Sequence, residues 1–385
     1  MRARPEPFGA WVRLDEPPLL IAVDRSLARK LGFEGGALWE GEGAEGHDAP
    51  LEAHVAVTER CALPCEGCYL DASPEGASPP TGVLVGRLRA LAERGVFTVA
   101  FGGGEPLVRD DLGELARQAR SFGLSPVLTT SGAGMTAGRA AELGAFDQVN
   151  VSYDGEGEGY RAVRGFAGAG MAERAMGYLR EAGVRFGVNV VLTRRSFAGV
   201  EAAAGRAREL GAAEVQLLRF KPAGRGVGAV YEASRLDEAQ ARALYPLLGR
   251  LAEGPGAVRI DCALVPFLSP HLDDASALER FGVFGCEAGR HLGALRADGS
   301  EAPCSFAAPE PRVAPGRLAR GAGGGAARRF REHGDRPPEP CSSCALRRVC
   351  RGGCRVVAAH AGEPAGPDPE CPRVLDFRRG GGRPA

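Results

Sequence analysis

Apolar residues recur along the chain in a regular rhythm that begins near residue 51. Short apolar runs lie at 53–58, 97–101, 126–129, 148–152, 186–192 and 215–218, bounded by glycine, proline or polar turn residues. Runs of this length and setting predict buried strands. Between them, 83–94, 111–122, 136–143, 171–182 and 200–210 are rich in Ala, Leu, Glu and Arg and predict helices. Repeated strand–helix alternation predicts a parallel sheet covered by helices, since parallel neighbours need a crossover to connect them. Periodicity leaves open whether that sheet closes or remains an open partial barrel.

The flanks break the rhythm. Residues 1–50 carry one apolar run, 19–23, and a helix-like stretch near 26–31. That is too little for a robust independent domain, and 41–50 reads as a linker. Beyond about Arg259 the chain turns to prolines, glycines and short elements, and eight of its eleven cysteines lie there. Residues 316–329 read as a Gly/Ala/Arg-rich loop, and those from 378 onward as a frayed tail. The expected organisation is a short N-terminal region of unknown role (1–50), an α/β barrel (51–258), a cysteine-rich domain (259–377) and a tail (378–385).

Composition narrows the setting. The chain has 385 residues, is 44% hydrophobic and 25% charged, and has zero formal net charge. Those fractions are ordinary for a globular protein, and the charge balance predicts neither a nucleic-acid nor a membrane partner. No stretch approaches the roughly 18 apolar residues that cross a bilayer. The start, MRARPEPFGAWV, lacks the apolar centre of a signal peptide, so a cytoplasmic location is expected. In that reducing compartment cysteines favour metal ligation over disulfides.

Spacing then decides what they bind. Cys61, Cys65 and Cys68 follow the first strand as Cys-x3-Cys-x2-Cys. Three thiolates so close suit a loop folded around a metal. A [4Fe–4S] cluster usually takes four cysteines; three leave one iron open, as a catalytic cluster requires. Structural zinc is the alternative, but it closes a tetrahedron with four ligands, and no fourth Cys or His is adjacent. After the second strand comes Phe-Gly-Gly-Gly-Glu-Pro-Leu, residues 101–107. Its glycines admit close approach of a ligand, Glu105 supplies a carboxylate, and Pro106 stiffens the exit. A plain strand-to-helix turn is the bland alternative, yet ligands of parallel sheets bind at this edge.

Together these two motifs strongly resemble the radical S-adenosylmethionine (radical SAM) superfamily, over roughly residues 51–225. The resemblance implies a partial (β/α)6 TIM-like barrel. It implies that the open iron is chelated by S-adenosylmethionine, with Gly103, Gly104, Glu105 and Pro106 holding the methionyl amino group. Ser152, in Val-Ser-Tyr-Asp-Gly, resembles a serine that reaches the cofactor, and Arg164 an arginine that faces its carboxylate. Ser131 takes a place where asparagine is more usual. One departure stands out. The residue before the third cysteine is usually aromatic or His and often contacts the adenine side, but here it is Gly67, with Tyr69 the nearest aromatic in sequence.

The C-terminal cysteines resemble the SPASM extension of the same superfamily: Cys286, a hairpin with an Asp-Gly turn at 298–299 leading to Cys304, then Cys341-x2-Cys344-x5-Cys350-x3-Cys354, and Cys371. Alone, four cysteines in fourteen residues would suit zinc. The resemblance implies instead two auxiliary [4Fe–4S] clusters, three in all: Cys286, Cys304 and Cys354 on auxiliary cluster I, and Cys341, Cys344, Cys350 and Cys371 on auxiliary cluster II. Cys262 is a further candidate for cluster I, but the pattern is complete without it, which favours an open iron there; a small buried cysteine is the alternative. The implied activity is generation of a 5′-deoxyadenosyl radical that abstracts hydrogen, fed by an external one-electron reductant. Segments 218–226, 350–354 and 367–371 resemble the peptide maturases of the mycofactocin and pyrroloquinoline quinone pathways. They imply a ribosomally made peptide substrate and, since residues 1–50 are short, a separate protein to present its leader. A small molecule, a tetrapyrrole or a sulfatase-type side chain is the alternative substrate, and a non-catalytic zinc or electron-transfer protein the remote one.

Overall fold

The computed structural model describes residues 1–14, 19–40, 49–283, 285–309 and 325–381. Twelve strands are present among them: β1 (Arg2–Glu6), β2 (Gly9–Leu14), β3 (Leu19–Asp24), β4 (Glu52–Thr58), β5 (Thr98–Gly103), β6 (Ser125–Thr130), β7 (Gln148–Ser152), β8 (Phe186–Leu192), β9 (Glu214–Arg219), β10 (Ala257–Ile260), β11 (Leu292–Leu295) and β12 (Glu301–Ala302). The six expected barrel strands, β4 to β9, pair in chain order and are all parallel. β10 extends the sheet beside β9, and the β11–β12 hairpin extends it at the other end, with β11 parallel to β4. The sheet is therefore open, with β10 and β12 at its edges. The boundary expected at 258/259 falls inside β10, so the cysteine-rich part shares a sheet with the barrel.

Burial explains why these segments were readable. β8 is buried at six of seven positions, the near-continuous apolar run of a sheet covered on both faces. Helix Leu112–Ser121 buries Leu112, Leu115, Ala116 and Ala119, one stripe at helical spacing. Thr136 caps Ala137–Glu142 by accepting from the Arg139 amide at 3.3 Å. A fourteen-residue helix, Glu238–Leu251, lies where no element was expected. It contains Pro246, which argues against a helix interior. Proline has no amide to donate to the Arg242 carbonyl; His271 Nε2 donates there instead, at 2.8 Å.

Residues 1–40 depart from expectation. The run at 19–23 is strand β3 and the stretch at 26–31 largely helix Arg25–Lys30, but β1 and β2 precede them and complete an antiparallel three-stranded sheet. This small module has its own core of Ala10, Val12, Val23, Ala28 and Trp39. Trp39 Nε1 donates to the Glu6 carbonyl (2.9 Å) and the Gly9 carbonyl (3.0 Å). Arg2 and Arg4 tie β1 to the barrel through the carbonyls of Val96 (2.8 Å) and Ala49 (2.9 Å). Residues 41–48 of the expected linker, 316–324 of the expected loop and 382–385 of the tail lie outside the described residues; 325–329 belong to helix Gly325–Asp335, and 378–379 end helix Pro372–Arg379. No described helix is long and apolar enough to cross a membrane.

Candidate functional site

The C-terminal ends of β4 to β9 gather the first set of candidate residues. β4 ends at Thr58, and the cysteine loop follows. Cys61, Cys65 and Cys68 are half-buried free thiols close enough to interact electrostatically. Burial pushes the Cys61 and Cys65 thiols up from their ordinary range. The end of β5 presses against the start of this loop. The Gly104 amide donates to the Thr58 carbonyl (2.8 Å) and the Glu105 amide to the Arg60 carbonyl (2.9 Å). A Cβ at Gly103 would stand 2.0 Å from the Thr58 carbonyl, and one at Gly104 2.3 Å from that of Arg60; Gly103 also has φ +120°. Glycine is required here by close backbone approach as well as by conformation.

Glu105 is 2% exposed and fully engaged. Oε1 accepts from the Leu107 amide (3.0 Å) and the Thr130 hydroxyl (2.6 Å); Oε2 accepts from the Ser131 amide (2.8 Å) and the Ser131 hydroxyl. Burial nevertheless pushes its carboxyl up. The structure thus joins two candidates, Glu105 and Ser131, into one brace across the ends of β5 and β6. Pro106 begins the buried turn that follows, and Ser152 ends β7, half-buried.

Arg164 closes the first helix after β7, Gly157–Arg164. Its Nε donates to buried Asp154 Oδ2 at 2.6 Å, and Asp154 Oδ1 accepts from the Val191 amide at 2.7 Å. Burial opposes the guanidinium charge, but Asp154 outweighs it and holds Arg164 charged. The guanidinium lies beside the Cys65 thiol. Asp154 was quoted in the motif with Ser152, but its role as the partner of Arg164 needs the fold.

The stretch after β9 wraps the cysteine loop from the other side. Arg225 donates to the carbonyls of Cys65 (3.2 Å) and Ala72 (2.9 Å) and to Asp71 (2.8 Å), and its amide donates to the Cys68 carbonyl (2.9 Å). The Phe220 ring accounts for Gly67: a Cβ there would lie 2.5 Å from the ring edge. An aromatic group reaches this place from the residue just after β9 instead of from the cysteine loop. Tyr69 turns elsewhere and packs on Phe306, with ring centroids 4.9 Å apart.

The remaining cysteines sort into two groups. Cys341, Cys344, Cys350 and Cys371 line one cavity together with Ser269 and Arg347. Cys371 Sγ sits 3.4 Å from both the Ser269 hydroxyl and the Pro266 carbonyl. Three of these thiols come from one ten-residue stretch and the fourth from Cys371; among the described residues no three or more His, Cys, Asp or Glu are set to hold a single metal ion. Cys304 interacts with Cys286, and the Cys354 amide donates to Asp368 Oδ2 at 3.0 Å. Asp368 is fully buried and paired with Arg219 (2.6 and 3.1 Å), which also holds Glu370 (2.9 Å). Lys221 pairs with Asp261 and sits 4.2 Å from the centre of the Phe306 ring. The segment 218–226 was singled out in the sequence without roles for Arg219, Phe220, Lys221 or Arg225.

Comparison with known proteins bears on this arrangement. Residues 55–204 match the Radical SAM superfamily. The chain is 32% identical over 342 residues to mycofactocin maturase MftC of Mycolicibacterium smegmatis, covering 85% of this chain and 83% of that protein. It is 28% identical over 350 residues to PqqA peptide cyclase of Gluconobacter oxydans, covering 84% and 90%. Its fold is similar to that of SuiB from Streptococcus suis bound to S-adenosylmethionine, with a TM-score of 0.74, 16% identity, and coverage of 96% of this chain and 98% of that one. SuiB bound to the precursor peptide SuiA superposes with a TM-score of 0.72.

Proposed function

The chain belongs to the radical SAM superfamily, and from that premise we propose that it matures a ribosomally made peptide using three [4Fe–4S] clusters. When bound, the catalytic cluster and S-adenosylmethionine supply a 5′-deoxyadenosyl radical that abstracts hydrogen from the substrate. Cys61, Cys65 and Cys68 hold that cluster. Arg164, locked by Asp154, meets the cofactor carboxylate. The four bonds already made by Glu105 assign it to bracing β5 and β6, which leaves the contact with the cofactor amino group to the backbone around Gly103–Pro106. Ser131 and Ser152 line the same edge. Cys341, Cys344, Cys350 and Cys371 hold auxiliary cluster II; Cys286, Cys304 and Cys354 hold cluster I. An external one-electron donor reduces the enzyme. The barrel at 51–258 carries the chemistry, and 259–377 carries the auxiliary clusters.

The observation that carries the multi-cluster reading is the cavity lined by Cys341, Cys344, Cys350 and Cys371, which unites residues thirty positions apart. The peptide substrate rests on the similarity to mycofactocin maturase and PqqA peptide cyclase over most of the chain. The N-terminal module adds a physical argument. β1 faces the barrel through Arg2 and Arg4, while among the described residues β3 pairs with β2 alone and has exposed Leu19 at its start. A free strand edge can accept an extended peptide, so the module is a place for a leader, alone or with a separate presenting protein.

The test is anaerobic incubation of the reduced enzyme with S-adenosylmethionine and short peptides encoded beside its gene, followed by mass spectrometry. Formation of 5′-deoxyadenosine together with a mass change on one peptide is expected. Turnover of the cofactor only with a small metabolite, and with no peptide altered, would refute the peptide reading.

A further inference from the structure

The seven-cysteine pattern leaves auxiliary cluster I with three protein thiolates and an open iron. The surroundings of Cys262 point the other way. β10 ends just before Asp261, which caps the turn Cys262–Leu264 by accepting from the Ala263 amide at 2.5 Å. The other Asp261 oxygen accepts from the Arg219 amide (3.3 Å) and from Lys221. The Ala263 carbonyl accepts from Arg219 Nη1 at 2.9 Å. That same nitrogen donates to Asp368 Oδ2, which accepts from the Cys354 amide. A chain of buried hydrogen bonds therefore ties the turn bearing Cys262 to the backbone of Cys354.

The side chains converge as well. The Cys262 and Cys286 thiols interact directly with one another. Cys304 interacts with Cys286. Arg355 interacts with both Cys286 and Cys354, and Lys221 with both Cys262 and Cys354. Cys262 and Cys304 are thus each linked to Cys286, and Lys221 and Arg355 link Cys354 to the same set. A cysteine that merely filled a gap in the core would have apolar neighbours, whereas Cys262 has Asp261, Lys221 and a second thiol.

We propose that Cys262 is the fourth protein ligand of auxiliary cluster I, so that the cluster is closed. This rests on the three-cluster reading above. Each added thiolate brings one more negative charge, and Lys221 and Arg355 stand where they offset it. A cluster with four cysteine ligands exchanges electrons but offers no iron to a substrate. The role of cluster I is then electron transfer between the catalytic half and the rest of the chain, and substrate binding falls to side chains.

The experiment uses full-length protein, prepared anaerobically, with Cys61, Cys65 and Cys68 changed to Ala so that only auxiliary clusters remain. Paramagnetic resonance of the reduced sample, with iron and sulfide content, is compared before and after Cys262→Ser and Cys262→Ala. The expected result is a shifted cluster I signal or the loss of one cluster's iron, with the cluster II signal intact as proof of folding. Where Cys262→Ala keeps the cluster, added 2-mercaptoethanol should shift its signal, while the parent should not respond. An unchanged signal and iron content in both variants overturns the proposal, as does a parent whose signal responds to the added thiol. A parent that holds no iron–sulfur cluster refutes the three-cluster reading itself, and this inference with it.

Discussion

The edge of the barrel that carries Cys61, Cys65 and Cys68 and the C-terminal cysteine-rich region, proposed above to hold the catalytic and the auxiliary clusters, are assembled in opposite ways. Around the catalytic loop the candidate residues follow consecutive strands: Cys61–Cys68 after β4, Glu105 after β5, Ser131 after β6, and Ser152 and Arg164 at and after β7. Parallel pairing alone brings those strand ends to one edge. The thiols proposed for the auxiliary clusters come from residues 262, 286, 304, 341–354 and 371, and no regular pairing places most of them. What positions them is long-range polar contact, above all Arg219 at the end of β9 gripping Asp368 and Glu370. One site follows from topology, and the other depends on a few buried bonds.

The sharpest way to break that comparison is to empty the catalytic loop. Changing Cys61, Cys65 and Cys68 together to Ala should abolish all cleavage of S-adenosylmethionine, measured as 5′-deoxyadenosine. Iron analysis should show one cluster lost and two retained, because the auxiliary ligands lie in separate segments. Residual 5′-deoxyadenosine would overturn the assignment of the catalytic cluster to this loop, and loss of all iron would show that the two regions are not independent.

The converse break targets the tether. Arg219→Ala leaves Asp368 as a buried carboxylate without its cation, a loss of about 3–5 kcal/mol for a buried ion pair, while Glu370 keeps Arg235 and the Tyr231 hydroxyl as partners. Auxiliary iron should fall while the catalytic cluster remains, and the anaerobic protein should melt at lower temperature. Replacing Arg219 by Met and Asp368 by Leu together should recover part of the loss, since no charge is then stranded on Asp368. Full auxiliary iron content in Arg219→Ala would remove the tether from the account.

The same contrast explains what was legible in the amino-acid sequence. β7 and β8 fall where the apolar runs lay, to the residue, because a strand buried in a covered parallel sheet shows its burial locally. The Asp-Gly hairpin was legible for the same reason, its turn chemistry being local. The N-terminal hairpin was not: β1 and β2 read RARPE and GAWVRL, with Arg2 and Arg4 spent on the barrel instead of on alternation. Helix Glu238–Leu251 was hidden by Pro246, whose missing donor His271 supplies from elsewhere. At the site, the cysteine spacing announced itself. The Asp154–Arg164 pair and the Phe220–Gly67 packing each join residues distant in sequence, and a single chain carries no mark of them; Cys262 was a candidate by number alone, and its link to Cys286 needs the fold.

Gly67 offers a subtler probe of the catalytic half. Gly67→Phe drives a side chain into the Phe220 ring, an overpacking of about 1–3 kcal/mol, or roughly fivefold to 150-fold if it falls on cofactor affinity. Titration of S-adenosylmethionine into the reduced protein, followed by the cluster's paramagnetic signal, should show that weakening. Adding Phe220→Ala should restore most of it, because only one aromatic group fits the space. Iron content should stay near that of the unmodified chain in both. Equal affinity in Gly67→Phe and the parent would show that the ring and the cofactor are not coupled.

The smallest effect is expected from a second tie between the same two regions, this one in solvent. Helix Glu238–Leu251 meets helix Pro372–Arg379 through Glu238 with Arg379 and through Arg242 with Asp376 (2.7 Å). The hydrogen bond from Arg379 and then that from Arg242 hold the Glu238 carboxyl down at about 2. A depressed acid contributes its full share above its ordinary range near 4.5 and loses it as pH falls toward 2. Solvent and salt screen exposed pairs of this kind, so Glu238→Gln should leave auxiliary iron content unchanged at neutral pH, and high salt should have as little effect on the parent. Any loss of cluster II iron in Glu238→Gln comparable to that in Arg219→Ala would mean that the surface network, and not the buried one, holds the C-terminal helix and Cys371 in place.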